Sequence, residues 1–354
     1  MKPVFFLCDP EFVHDITLTF GRFLGKYTWT RKLVGIMFGY SHPALAQTYA
    51  GIYFKNPVGL AAGFDKDGYL TEILPSVGFG FAEIGSMTAS AQAGNAKPRL
   101  WRLMKSKSIV VYYGLKNEGV DAILPRLQKA KKFMPLGISI AKENISREDD
   151  GSDIVSYVSA YQKVIARDVG DYITINISCP NVKTGESFTE PRKFDELFSA
   201  LRTVHSDKPI FIKMASEMPT EVLDAIIQLA RKHHVAGFIS TNLAKSRVND
   251  RIVDAQVPER GGMSGKVVEE LSNAQIAHIY KQTKGEFIII GCGGVFTAKD
   301  AYRKIRLGAN LIQMITGMIF QGPQVVGQIN RGLAELLARD GFTNISEAVG
   351  VDSR

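Results

Sequence analysis

From about residue 58 onward, short apolar runs alternate with longer stretches of helical periodicity. The runs cover residues 58–62, 81–85, 136–140, 172–178, 210–214, 237–242, 287–291 and 311–316. Helical patterns lie between most of them, for example over 222–234 and 298–307. Eight parallel-type strands with intervening helices predict a closed (β/α)₈ barrel. An open doubly wound sheet usually has fewer strands and an early glycine-rich nucleotide loop. No GxGxxG pattern follows the first strand here.

The residues ahead of the barrel differ. Phe12, Val13, Ile16, Phe20, Phe23 and Leu24 recur at helical spacing, and Leu33, Val34, Ile36, Met37 and Phe38 follow a polar break. Two short helices with broad apolar faces are expected, with Arg22, Lys26, Arg31 and Lys32 beside them. Such a pair either packs on the barrel or lies in a bilayer surface, where basic residues meet anionic headgroups. The expected division is a helical extension over 1–45 and a barrel over 46–354. The apolar start is too short for a signal peptide, and no run approaches the roughly 20 residues of a membrane span.

Of 354 residues, 43 are Lys or Arg and 35 Asp or Glu, a net charge of +8. That balance favours anionic ligands or lipid, but no basic run is dense enough for a nucleic-acid arm. Three widely spaced cysteines, Cys8, Cys179 and Cys292, give neither a disulfide framework nor a metal pattern. They suit a reducing cytoplasm.

In a barrel of this kind the active site lies at the C-terminal strand ends, and the conspicuous polar residues fall there. The fourth run ends in Asn176-Ile177-Ser178-Cys179-Pro180-Asn181. Two carboxamides bracketing a cysteine serve a core poorly and a site well, since they grip a planar polar ligand beside a thiol. The seventh and eighth runs end in Gly291-Cys292-Gly293-Gly294 and Thr316-Gly317. Glycines let backbone amides approach a phosphate, and these two loops form the recurrent phosphate site of the fold. Lys213, inside an apolar strand, is expensive to bury unpaired and is expected to face a ligand. It suits the electron-rich edge of a reduced flavin. The small residues Ala61, Ala62 and Gly63 leave room for a flat ring, and Lys66 follows them, suited to a carboxylate. FMN fits better than FAD or NAD, because no adenine-nucleotide fingerprint is visible.

With these residues in view, the chain resembles the dihydroorotate dehydrogenases, flavoenzymes of pyrimidine biosynthesis that oxidise dihydroorotate to orotate. The likeness runs from Asp9-Pro10-Glu11 to about Gly350. It is strongest over Asn56-Pro57-Val58-Gly59-Leu60-Ala61-Ala62-Gly63-Phe64-Asp65-Lys66-Asp67-Gly68, and there it points to the quinone-dependent, membrane-associated class 2. The resemblance implies Cys179 as base and Lys66, Asn176, Asn181 and Asn242 around the substrate. It implies FMN held by Ala62, Gly63, Ser86, Ser139, Asn176, Lys213, Ser240, Gly265, Gly293, Gly294, Thr316 and Gly317. His14 and Arg102 match positions on the quinone side, and no metal is implied. It also implies peripheral attachment to the cytoplasmic face of the cell membrane.

The chain departs from the class at several points. Cysteine stands at 179, where class 2 usually has serine and the soluble class 1 enzymes have cysteine. Val111 falls where a substrate-binding asparagine is expected, and Ser139, Leu243 and Ile315 replace an asparagine, a threonine and a tyrosine. These changes support a second reading, a paralogous FMN oxidoreductase acting on another cyclic amide or unsaturated acid. A third reading is a flavin-binding or membrane-docking protein without catalysis. The retained Cys179, Lys66 and three asparagines weigh against it.

Overall fold

A computed structural model describes residues 2–144, 150–181 and 187–353. Eight parallel strands close into a barrel in chain order: β1 (Val58–Leu60), β2 (Phe81–Met87), β3 (Leu136–Ile140), β4 (Tyr172–Asn176), β5 (Ile210–Lys213), β6 (Gly237–Ser240), β7 (Ile288–Cys292) and β8 (Leu311–Met314). Each apolar run read from the sequence is one of these strands. Several stop a little early: β4 ends at Asn176, β6 at Ser240 and β8 at Met314. There the polar residues leave the ladder and turn toward the barrel mouth.

The barrel interior is layered. Near the N-terminal end, Phe81, Tyr172, Phe211, Ile239, Ile290 and Leu311 form a closed apolar plug, joined from below by Phe54 of the hairpin Gln47–Tyr49 and Ile52–Phe54. Glycines make room for it. A Cβ on Gly59 would lie 2.4 Å from the Phe81 ring, and one on Gly137 2.2 Å from that of Tyr172. A polar layer also lies inside the barrel: the Glu83 carboxylate accepts from Thr174 (2.9 Å) and Gln313 (3.0 Å). The larger apolar core fills the space between strands and helices.

Over the mouth lies an antiparallel lid of Leu100–Leu103, Ser108–Val111 and Gly262–Gly265. The first two strands come from the β2–β3 connection and the third from the β6–β7 connection. Three helices precede the barrel: α1 (Lys2–Leu7), α2 (Pro10–Lys26) and α3 (Thr28–Phe38). Asp9 caps α2 by accepting from the Phe12 amide at 2.9 Å. Glu11 on α2 takes Arg99, just ahead of the lid, through both Nε (3.1 and 3.2 Å) and Nη2 (2.8 Å), with both side chains buried. Burial acts to raise the Glu11 pKa, but Arg99, Lys97 and Lys116 outweigh it and hold the carboxyl below its ordinary range. Phe12, Phe20, Trp29, Leu33, Ile36 and Met37 stand exposed on these helices. No described helix is long and apolar enough to cross a membrane. Met1 and Arg354, the outer limits of the two expected units, lie outside the described residues.

Candidate active site

One cavity lies between the strand ends and the lid. It is lined by Ala62, Gly63, Lys66, Ser86, Asn176, Cys179, Asn181, Lys213, Asn242, Gly293, Gly294, Thr316, Gly317 and His14, among others. These side chains come from loops far apart in sequence, brought together because every parallel strand delivers its C-terminal end to the same rim.

A chain of hydrogen bonds ties the carboxamides to the barrel. Asn176 donates to Ser86 Oγ (2.9 Å), which pairs with Ser139 Oγ (2.8 Å). Asn242 Nδ2 donates to Asn176 Oδ1 (3.0 Å) and to Ser178 O (2.9 Å) and Oγ (3.0 Å). Ser178 in turn donates to the Lys213 carbonyl at 2.6 Å. Asn181 Oδ1 accepts from the Gly262 amide at 3.1 Å, fastening the cysteine loop to the lid. Asn95 donates to the Asn181 carbonyl (3.1 Å) and accepts from Asn144 (3.0 Å), which also donates to Gly114 O (3.1 Å). Cys179 is reduced and half-buried at the cavity wall.

The cations explain why the cavity needs an anionic or electron-rich ligand. Lys213 is 6% exposed, and its ammonium makes no ion pair or hydrogen bond with the described residues. Such a group calls for a ligand. Lys66 sits 4.1 Å over the Tyr113 ring. Desolvation, opposed by Asp67 and reinforced by Lys116, pushes its pKa down to about 8. The buried Asp65 shapes this turn by accepting from the Tyr69 and Leu70 amides, both at 2.8 Å, and burial raises its pKa to about 6. His14 donates Nε2–H to the Phe64 carbonyl at 2.8 Å. Burial and then the Lys66 charge drive its pKa down to about 3, so the ring is neutral. The 3.7 Å approach of Nδ1 to Asp15 is therefore no ion pair.

The residues fit a flavin. Gly293 and Gly294 hold positive φ (125° and 74°), and side chains there would strike Val268 and Glu269. Thr316 and Gly317 begin a short helix beside them, and the Thr316 hydroxyl pairs with Ser264 at 2.8 Å. Lys213 and the Asn176–Ser86 pair line the same cavity.

Four expected residues lie outside the cavity lining. Ser139 is fully buried behind Ser86, and Ser240 is turned to Gln275 (2.7 Å). Their neighbours Ser86 and Thr241 reach the cavity instead. Gly265 pairs with Ser108 in the lid, leaving Ser264 on the wall. Arg102 stacks on Phe6 (4.8 Å) and donates to the Cys8 carbonyl (2.9 Å), so it secures α1 to the lid. Tyr113, Lys116 and the Asn95–Asn144 pair carried no separate signal in the sequence, because their placement depends on the lid.

This is the mouth of a barrel on which cations, carboxamides, a cysteine and glycine loops converge. Known proteins narrow the class. The dihydroorotate dehydrogenase family model matches residues 44–337. A Trichodesmium erythraeum protein named dihydroorotate dehydrogenase (quinone) is 35% identical, over 98% of this chain and 95% of its own length. A Synechocystis protein of the same name is 37% identical, over 89% and 85%. The crystal structure of an Eimeria tenella dihydroorotate dehydrogenase in complex with ferulenol superposes with a TM-score of 0.87 at 28% identity, covering 98% of this chain and 96% of that one. The chain belongs to the dihydroorotate dehydrogenase family, a family of oxidoreductases that implies a flavin cofactor.

Proposed function

We propose that this chain oxidises dihydroorotate to orotate with FMN as cofactor, in pyrimidine biosynthesis, and delivers the electrons to a membrane quinone. The observation that carries the reading is the convergence of Cys179, Asn176, Asn181, Lys66 and Lys213 on one cavity beside glycine loops suited to a phosphate. Bound FMN supplies the two-electron acceptor. Lys66 holds the substrate carboxylate, and the free N–H groups of Asn176 and Asn181 hold ring carbonyls. Cys179 takes the proton from the ring CH₂ next to the carbon that loses hydride. A thiol, with a reference pKa near 8.5, gives up its proton more readily than a serine hydroxyl and so suits a base. Asn242 works through Asn176, whose carboxamide it orients.

The N-terminal helices then form the quinone entrance. His14 reaches the cavity from α2, and Phe6 on α1 packs at 5.6 Å against Phe320. The exposed apolar residues of α2 and α3 would lie in the cytoplasmic face of the membrane as a peripheral anchor. Vesicle flotation of the protein and of a Leu33→Ser, Ile36→Ser, Met37→Ser variant tests this. Equal flotation of the two would reject the anchor.

The activity is tested by anaerobic titration of the FMN-loaded protein with dihydroorotate. Bleaching of the oxidised-flavin absorbance, reversed by quinone, is the expected result. A flavin that bleaches with dithionite but not with dihydroorotate would overturn the substrate. The second reading, a different cyclic substrate, is favoured by one observation: Val111, Leu115 and Leu243 line the same cavity with hydrocarbon.

A further inference from the structure

The eight barrel strands carry one acid and one base between them, Glu83 on β2 and Lys213 on β5. Lys213 stands in the cavity wall. Glu83 lies a layer deeper, as the two-residue period of a strand dictates. Phe81, two residues earlier, belongs to the apolar plug, and Gly85, two residues later, lines the cavity. The Glu83 carboxylate is therefore sealed between the plug and the cavity floor, with no solvent exposure.

Its hydrogen bonding is uneven. Thr174 and Gln313 both donate to Oε2, while Oε1 has no partner among the described residues. The Tyr172 hydroxyl is also unpaired, and burial and then the Glu83 charge raise its pKa well above the ordinary value. A carboxylate held this way costs the fold more than a carboxamide of the same shape would. Such a group needs a reason to be there, and its charge is what a carboxamide would lack.

That charge lies close to the site. Gln313 donates to Glu83 at 3.0 Å and also lines the cavity. Cys292, another lining residue, feels both charges of the barrel. Burial raises the pKa of its thiol, Lys213 and Lys304 act against that rise, and Glu83 adds to it.

Resting on the reading that FMN fills this cavity, we infer that Glu83 sets the reduction potential of the flavin, as the negative counterweight to Lys213. The reduced ring is electron-rich at the edge that Lys213 suits. Lys213 favours that form and Glu83 disfavours it, so the reduced cofactor passes its electrons on more readily. Glu83 touches neither flavin nor substrate and acts through space. A unit charge about 10 Å away, at an effective dielectric constant of about 20, changes such an equilibrium by about tenfold or more.

The midpoint potential of the FMN-loaded full-length protein is measured anaerobically against a reference dye, for the parent, Glu83→Gln and Thr174→Val, with urea melts in parallel. Glu83→Gln is expected to favour reduced over oxidised flavin by about tenfold or more, about 30 mV upward for a two-electron couple. It should be no less stable than the parent, because Gln313 Oε1 is free to accept from the new amide. Thr174→Val keeps the acid and removes one of its donors, so it should lose stability and move the potential less. Where Glu83→Gln does not fold, Glu83→Met with Thr174→Val removes the acid together with its hydroxyl donor and carries the same expectation for the potential. A charge-removing variant that holds FMN at the parent's potential would overturn the inference and leave the proposed activity standing. A parent protein that retains no flavin would overturn both.

Discussion

Replacing Lys66 by methionine should make the protein more stable and, at the same time, nearly unable to bind orotate. The lysine's ordinary pKa of 10.5 falls to about 8 in the fold, chiefly through desolvation. At about 1.4 kcal/mol per pH unit, keeping the ammonium charged at neutral pH costs the native state roughly 3 kcal/mol. This is an upper bound, because the side chain is half-buried rather than sealed. Contact with the Tyr113 ring returns about 1 kcal/mol. The sign follows from proton counts. Between about pH 8 and 10.5 the unfolded chain holds the proton and the native state does not, so stability rises with pH across that window. Lys66→Met should therefore gain about 1–2 kcal/mol in urea melts at neutral pH and lose the rise above pH 8. Orotate affinity, read from the flavin spectrum, should fall about a hundredfold or more, because a partly buried carboxylate loses its cation. In the unaltered protein that affinity should stay flat to about pH 8 and then drop about tenfold per pH unit. A Lys66→Met protein that binds orotate normally, with the same pH dependence, would refute the assignment of this lysine to the carboxylate.

Cys179→Ala should slow flavin reduction by dihydroorotate about 10²–10⁴-fold in stopped flow while orotate still binds, and Cys179→Ser should keep part of the rate with its pH optimum moved upward. Normal turnover by Cys179→Ala would remove it as the base. Asn95→Ala severs the bonds to Asn181 and Asn144, and should cost about 1–3 kcal/mol in melts and roughly tenfold in kcat. Unchanged kcat would show that the cysteine loop holds itself. Glu11→Gln leaves Arg99 buried without its counter-charge and should cost about 3–5 kcal/mol. The wild-type contribution should be whole above the ordinary carboxyl value of 4.5 and disappear as pH falls through the lowered folded value. Melts that show no such acid-side loss would contradict the pairing.

The barrel was legible in the sequence because its strands are buried on both faces. That burial writes them as unbroken apolar runs, whereas the helices between them keep a polar side. The lid leaves no such trace. Leu100–Leu103, Ser108–Val111 and Gly262–Gly265 are short, and the third joins the others from a distant part of the chain. Its pairing is a tertiary fact that no local pattern carries. Tyr113 and the Asn95–Asn144 tie were invisible for the same reason.

The site was legible to the level of strand ends and no finer. Where two small residues are adjacent, one faces the cavity and its neighbour belongs to the wall. Sequence alone does not separate Ser240 from Thr241, or Ser264 from Gly265. Asn242 shows what depends on that choice. Its position beside the mouth suggests a ligand contact, but its amide nitrogen is spent on Asn176 and Ser178. Truncating it to alanine should therefore act through Asn176. That carboxamide would keep its bond to Ser86 but lose the Asn242 donor on its oxygen, so its position would be held less firmly. Orotate affinity should fall about tenfold in Asn242→Ala, while binding through the carboxylate end, assigned to Lys66, should persist. Calorimetric titration of orotate into that variant checks this: loss of binding altogether would return Asn242 to direct contact with the substrate, and affinity equal to the parent's would remove it from the site.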